Sequence, residues 1–192
     1  MPDQVVQTVY FEQAGPHNTQ RTVELAAARA RALGVRTVLV ASTTGATGVQ
    51  VARAMSDLNV TVVSHSTGFA GPNQQSLTDE NRAAILEAGA HILTCQHALG
   101  GIGRAVRRKL GTYQIDEIVA FALRTFCQGI KVCCEITVMA ADAGLAPVGE
   151  EIIAIGGTGR GADAAAVIRA ANAQDFFDLR VLEIICKPRC WQ

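Results

Sequence analysis

A chain of 192 residues with 49% apolar side chains is long enough to bury one sizeable core. Its 17 Lys and Arg balance 17 Asp and Glu, so no net charge draws it to nucleic acid or to a membrane surface. No run of about eighteen uncharged apolar residues is present, which argues against a spanning helix. The opening residues carry Asp3, Glu12 and Glu24 without the apolar centre of a signal segment, so a cytoplasmic protein is expected. Cys95, Cys127, Cys133, Cys134, Cys186 and Cys190 form no C-x-x-C pair and lie mostly in apolar runs, as buried thiols do. No metal site is read from them.

In chain order, Asn18 or Thr19 can cap a first helix that runs to about Leu33 and stops at Gly34. The β-branched run Thr37 to Ala41 predicts strand one. It breaks at Ser42, Thr43, Thr44, Gly45, Ala46, Thr47 and Gly48, and a helix from about Ala46 to about Asp57 follows at once. That order of residues suits an anion. Glycine lets the main chain approach closely, the first helical turn offers unpaired N–H groups at its positive end, and the hydroxyls add donors. An ordinary helix cap has the same grammar. No lysine follows the loop, so the P-loop pattern is absent.

Strand two is predicted over Val60 to Ser64, and a Gly- and Pro-rich loop, Gly68 to Ser76, leads to a helix from about Thr78 to Ala88. Strand three is His91 to Thr94. His65 and His97 fall just past strands two and three, where a histidine can donate to phosphate, act as an acid or base, or be satisfied by loop carbonyls. Phe69, after Thr67 and Gly68, can cover a flat ring or simply pack. Arg104, Arg107, Arg108 and Lys109 fall on one helix and read as a solvated face, although Arg104, near the helix start, is a cation candidate for an anionic ligand.

Ile115, Ile118, Val119, Ala122, Leu123 and Phe126 recur at three and four residues, as a buried helical face requires. A further helix, about Lys131 to Ala143, turns Val132, Ile136, Met139 and Ala143 inward. Glu135 and Asp142 lie two turns apart on it, about 10 Å by helix rise, too far to share a proton, and read as structural. Strand four is Glu151 to Ile155. A second glycine-rich turn (Gly156, Gly157, Thr158, Gly159, Arg160, Gly161), a helix from Ala162 to about Ala171 and a last strand, Leu179 to Ile185, complete the pattern. Gly157, Gly159 and Ala162 fit G-x-G-x-x-A, a variant of the dinucleotide fingerprint, but far from an initial βαβ unit. Lining of a ligand crevice or a structural tight turn is the preferred reading there, with Arg160 as a second cation for an anion. The alternation as a whole predicts a largely parallel sheet covered on both faces.

Asn18 to Leu33, the loop Ser42 to Gly48, AAILEAGAHILT (Ala83 to Thr94) and GEEIIAIGGTGRGADAAAVI together resemble the C-terminal α/β domain of pyruvate kinase. SHSTGF (Ser64 to Phe69), QHALGGIGRA (Gln96 to Ala105), DAGLAPVGEEIIAIGGTGRGAD (Asp142 to Asp163) and EIICKPR (Glu183 to Arg189) resemble more closely a stand-alone family of such domains in archaea and bacteria. The resemblance implies one domain, residues 1–192, with a helical insertion at about 98–130. It implies a three-layer α/β/α fold whose five-stranded, mostly parallel sheet has order 3-2-1-4-5 and an antiparallel last strand. Strand order then reverses beside strand one, and the loops after strands one and four flank the same crevice.

In pyruvate kinase this domain holds an allosteric sugar bisphosphate, with one phosphate in the Ser- and Thr-rich loop, a role that carries over to Ser42, Thr43, Thr44, Gly45 and Thr47. The matched segments include none of the catalytic barrel, so kinase activity is not implied. The stand-alone family implies flavin mononucleotide as ligand. The expected function is therefore binding of a phosphorylated small molecule by those loop residues with Thr67, Gly68, Phe69, Arg104, Gly156, Gly157, Thr158, Gly159 and Arg160. Two alternatives stand beside it: an enzyme that uses His65 or His97, and a regulatory subunit without a working ligand site. Self-association into a homo-oligomer is compatible with the apolar content.

Overall fold

The computed structural model describes residues 3–190. Its centre is β2 (Thr37–Ala41), whose TVLVA run is buried on both sides apart from Ala41, as a strand covered by helices on both faces must be. It pairs in parallel with β3 (Asn59–Ser64) on one side and with β5 (Glu151–Gly156) on the other. β4 (His91–Thr94) closes the β3 side. Beyond β5 come β6 (Ala164–Arg169), β7 (Arg180–Cys190) and β1 (Val9–Gln13), so the sheet reads β1-β7-β6-β5-β2-β3-β4.

The sheet is thus mixed and seven-stranded, not five-stranded as expected. β6 runs antiparallel to both neighbours, and β7 regains the direction of β5. β6 also replaces the helix expected from Ala162 to Ala171. Alanine favours helix, but burial decides here: Ala164, Ala166 and Ile168 pack into the cluster on one face of the sheet, Ala165 and Val167 into the cluster on the other. Their small size also admits a close helix. A Cβ placed on Gly129 would stand 2.5 Å from the Cβ of Ala164. β1 was not anticipated, because Val9 to Gln13 is a short edge segment with only Val9 and Phe11 partly covered.

On one face lie α1 (Thr19–Leu33), α2 (Ala46–Ala54) and α3 (Asp79–Glu87); on the other lies α6 (Gln128–Asp142). α1 ends at Gly34 in the left-handed conformation, φ 69°. α2 ends near Ala54, short of Asp57, and α6 begins ahead of Lys131. The 98–130 region forms α4 (Ile102–Leu110) and α5 (Ile115–Arg124), which stand at the carboxyl edge of the sheet. The expected buried face of α5 is corrected: Ile115 is 78% and Ile118 57% exposed, and the helix instead buries Ala120 and Glu117. Ala143, expected inward, is exposed as well. Among the described residues no helix is long and apolar enough to cross a membrane.

Candidate functional site

β2 delivers the chain to Ser42, whose N–H donates to the Val63 carbonyl at 3.0 Å and whose Oγ accepts the Gly48 N–H at 3.1 Å. The Thr44 carbonyl accepts from Thr78 N–H at 3.2 Å and from Asn81 Nδ2 at 2.9 Å, which ties the loop to the start of α3. Gly45 caps α2 at φ 98°; a Cβ there would come within 2.5 Å of the Asn81 side chain and 2.6 Å of Leu77. Helix geometry leaves the first-turn N–H groups of Ala46 and Thr47 without carbonyl partners. Ser42, Thr43, Thr44, Ala46 and Thr47 all face one cleft, while Gly45 shapes the loop from behind.

The glycine turn after β5 lies across that cleft, since β5 pairs directly with β2. Gly157, Gly159, Arg160 and Gly161 line it; Gly156, at the end of β5, and Thr158 do not. The turn is braced from behind. Ala162 N–H donates to Thr19 Oγ1 at 3.0 Å, Gly15 N–H to Asp163 Oδ2 at 2.9 Å, and Gly161, at φ 70°, leaves no room for a Cβ against Pro16. Burial pushes the Asp163 carboxyl up, against the opposing pull of the Gly15 N–H and Thr158. The turn opens a strand, not a helix, so the G-x-G-x-x-A match lacks the helix N-terminus that dinucleotide recognition uses.

His65 and His97 leave the ends of β3 and β4 and meet at a centroid separation of 5.2 Å. Phe69 packs on both rings, at 4.2 and 5.0 Å, and carries the Arg104 guanidinium 5.0 Å above its own ring. Thr43 Oγ1 stands 3.4 Å from His65 Nε2, so this aromatic group adjoins the Ser/Thr loop. Thr67 and Gly68 stay outside the cleft; Gly68 N–H donates to the Gln74 carbonyl at 2.8 Å, and the pair serves to present Phe69.

Burial holds both histidines below the usual imidazole range; Arg104 adds to this at His65, and at His97 Glu135 opposes it while His65, Arg104 and Lys131 add to it. The folded state therefore rejects protons that the unfolded chain accepts. This contribution to stability is complete above the ordinary value of 6.5 and is lost as pH falls from there toward the depressed folded-state values. The double change His65→Gln, His97→Gln should make the melting temperature less sensitive to pH between about 5 and 7. Parallel curves for the two proteins would show that the histidines are not desolvated.

The cleft encloses about 1520 Å³ and is strongly cationic. Arg104, Arg107, Arg108, Arg124, Lys131 and Arg160 line it, against Glu117 and Glu135. Arg107 Nε donates to both Glu117 oxygens, at 2.9 and 3.0 Å, and Lys131 Nζ to Glu135 Oε2. Arg104, Arg108, Arg124 and Arg160 make no ion pair among the described residues. α4 buries none of its residues, in keeping with a solvated face, and Arg104, Arg107 and Arg108 border the cleft while Lys109 lies off it. Arg124, Gln128 and Lys131 were missed. For Gln128 and Lys131 the signal lies in α6, where Gln128, Lys131, Val132, Glu135, Ile136 and Met139 form a helical stripe that mixes polar groups into an apolar face and borders the cleft. Asp142 is remote and structural, accepting Asn172 Nδ2 at 2.9 Å and Ala173 N–H at 3.0 Å.

Burial pushes the thiols of Cys134 and Cys186 up to about 12, which leaves them inert as nucleophiles. Among the described residues no three His, Cys, Asp or Glu side chains converge as metal ligands.

Among solved structures, a pyruvate kinase from Cryptosporidium parvum is similar at 12% identity over 80% of this chain and 23% of that one, with a TM-score of 0.42. A second structure of the pyruvate kinase of this organism is similar at 11% identity over 88% and 24%, TM-score 0.40. A third, in complex with ADP, is similar at 12% identity over 89% and 25%, TM-score 0.43. The chain spans about a quarter of the length of these kinases. The sequence model of the pyruvate kinase alpha/beta domain matches residues 20–169, a stretch that runs from α1 to the end of β6 and takes in both loops of the cleft, and the chain belongs to that family.

Proposed function

We propose that the protein binds a phosphorylated small molecule in the crevice at the carboxyl ends of its strands, with flavin mononucleotide as the specific ligand. The observation that carries this reading is the excess of cations in the cleft of a chain with no net charge. Six cationic side chains face two carboxylates there, in front of a hydroxyl-lined loop at the N-terminus of α2. A phosphate monoester matches that donor set: first-turn N–H groups and the Thr43, Thr44 and Thr47 hydroxyls on one side, Arg160 on the other. The His65, His97 and Phe69 rings next to Thr43 supply a surface on which a flat heterocycle can stack, worth about 0.5–1.5 kcal/mol beyond area burial. A bound flavin would supply electron-transfer chemistry; the residues here hold its phosphate and orient its ring.

A second reading, an enzyme acting on the phosphorylated ligand through His65 or His97, is favoured by the place of both rings on the cleft, 5.2 Å apart beside Thr43. One experiment addresses both. Titration of the full chain with flavin mononucleotide, followed by fluorescence quenching, should saturate at one ligand per chain and be reversed by inorganic phosphate. Mass analysis of the recovered ligand then separates a binder, which returns it unchanged, from an enzyme. Quenching that inorganic phosphate leaves untouched would remove the loop from the site, and no quenching at all would leave the regulatory reading.

A further inference from the structure

Of the 17 cationic side chains only Lys109, Lys131 and Lys187 are lysines. Every other Lys or Arg of the cleft is arginine, which supplies charge and hydrogen bonds but cannot release its proton. Lys131 is also the cation whose side chain is most withdrawn from water, 5% exposed, with its partner Glu135 at 8%. A buried ion pair adds little to stability, because desolvation of two charges offsets their attraction. A titratable amine placed where arginine is otherwise the rule, and on the cleft-facing stripe of α6, suits chemistry better than packing.

The surroundings are those of a nucleophile with its base. Glu135 follows Lys131 by one helical turn, accepts from Nζ through Oε2, and is held from the other side by the Leu99 N–H on Oε1 at 3.1 Å. Val132, Ile136 and Met139 of the same stripe keep the neighbourhood apolar. Burial lowers the proton affinity of the amine, the charges of Arg124 and Arg104 lower it further, and Glu135 opposes them. Glu135 stands in hydrogen-bond contact with Nζ, placed to receive a proton from it.

Resting on the phosphate-binding reading above, we propose that Lys131 forms a Schiff base with the carbonyl carbon of a phosphorylated aldehyde or ketone seated in the cleft. The ammonium proton passes to Glu135, and the Nζ lone pair attacks the carbonyl carbon. A C–N bond forms as the C=O π pair moves to oxygen, and one of the two protons left on nitrogen transfers to that oxygen to give the neutral carbinolamine. Glu135 returns its proton to that hydroxyl, the C–O bond breaks, and water leaves as the C=N bond closes; nothing is oxidised or reduced.

Pyridoxal 5′-phosphate is the probe, applied to the full chain, with sodium borohydride supplying hydride to fix the imine as a secondary amine. Intact mass should show one phosphopyridoxyl group per chain, and peptide mapping should place it on Lys131. Excess inorganic phosphate, or the use of pyridoxal without its phosphate, should lower labelling about tenfold. Lys131→Arg, which keeps the charge opposite Glu135, should abolish the label in a protein that melts cooperatively. Because the map of the wild type already locates the adduct, failure of that variant to fold does not rescue or sink the assignment. Label confined to Lys109 or Lys187, label on Lys131 indifferent to phosphate, or no label overturns it. A calorimetric titration of the wild type with inorganic phosphate separates the two levels: heat of binding without label removes only the amine chemistry, and absence of both removes the anion reading as well.

Discussion

Thr44→Asp should weaken binding of flavin mononucleotide by tenfold or more, about 1.4 kcal/mol or above, without lowering the melting temperature. Thr44 is exposed, faces the cleft, and immediately precedes the cap of α2. A carboxylate there meets the incoming phosphate charge against charge where the first turn of α2 offers main-chain donors. The same carboxylate interacts favourably with the positive end of the empty helix, so the free protein does not suffer. Gly45→Asp is the less informative change, since its Cβ would collide with Asn81 and Leu77 and loss of binding would mix with loss of structure. Unchanged affinity in a folded Thr44→Asp protein would place the phosphate elsewhere.

Gly129→Val should cost on the order of 3 kcal/mol of stability, read as a large fall in melting temperature. The added Cβ would stand 2.5 Å from Ala164 Cβ, 3.1 Å from Asp163 Oδ1 and 3.4 Å from the Gly157 nitrogen. To relieve this, either α6 must lift from the sheet or β6 must shift, and the shift carries the glycine turn with it. Ligand affinity should therefore fall together with stability. A wild-type melting curve would show that α6 does not press on β6.

The sequence was most legible where local chemistry and tertiary demand agreed. The β-branched run of β2, the Gly34 stop and the Ser42 to Gly48 loop each satisfy a local rule that the packed structure also needs. It misled where they conflict. Ala164, Ala165 and Ala166 carry helix propensity, yet they serve as small strand residues beneath a close helix, a requirement set by Gly129, some thirty-five residues earlier. The Ile115 and Ile118 periodicity correctly predicts a helix and wrongly predicts burial, because periodicity reports that a face is apolar and not what covers it. At the candidate site, the Ser42 to Gly48 loop could be read from composition. Of the cations, Arg104 and Arg160 could be read from their places in the sequence, but Arg107, Arg108, Arg124 and Lys131 could not, since they come from three helices that only the folded chain gathers.

The pairing of β1 with β7 joins residues near opposite ends of the chain, with Val9 against Cys186 and the Thr8 hydroxyl donating to the Ile184 carbonyl across a separation of 176 residues. No local contact can bring those segments together early, so the entropy of closing so long a loop places this edge among the last parts to form. By the same reasoning it is among the first to open in native-state fluctuations, when few other contacts hold it. Opening would bare the rim of β7, a row of unsatisfied amides and carbonyls able to template another strand, so the brief β1 segment acts as a guard against edge-to-edge aggregation.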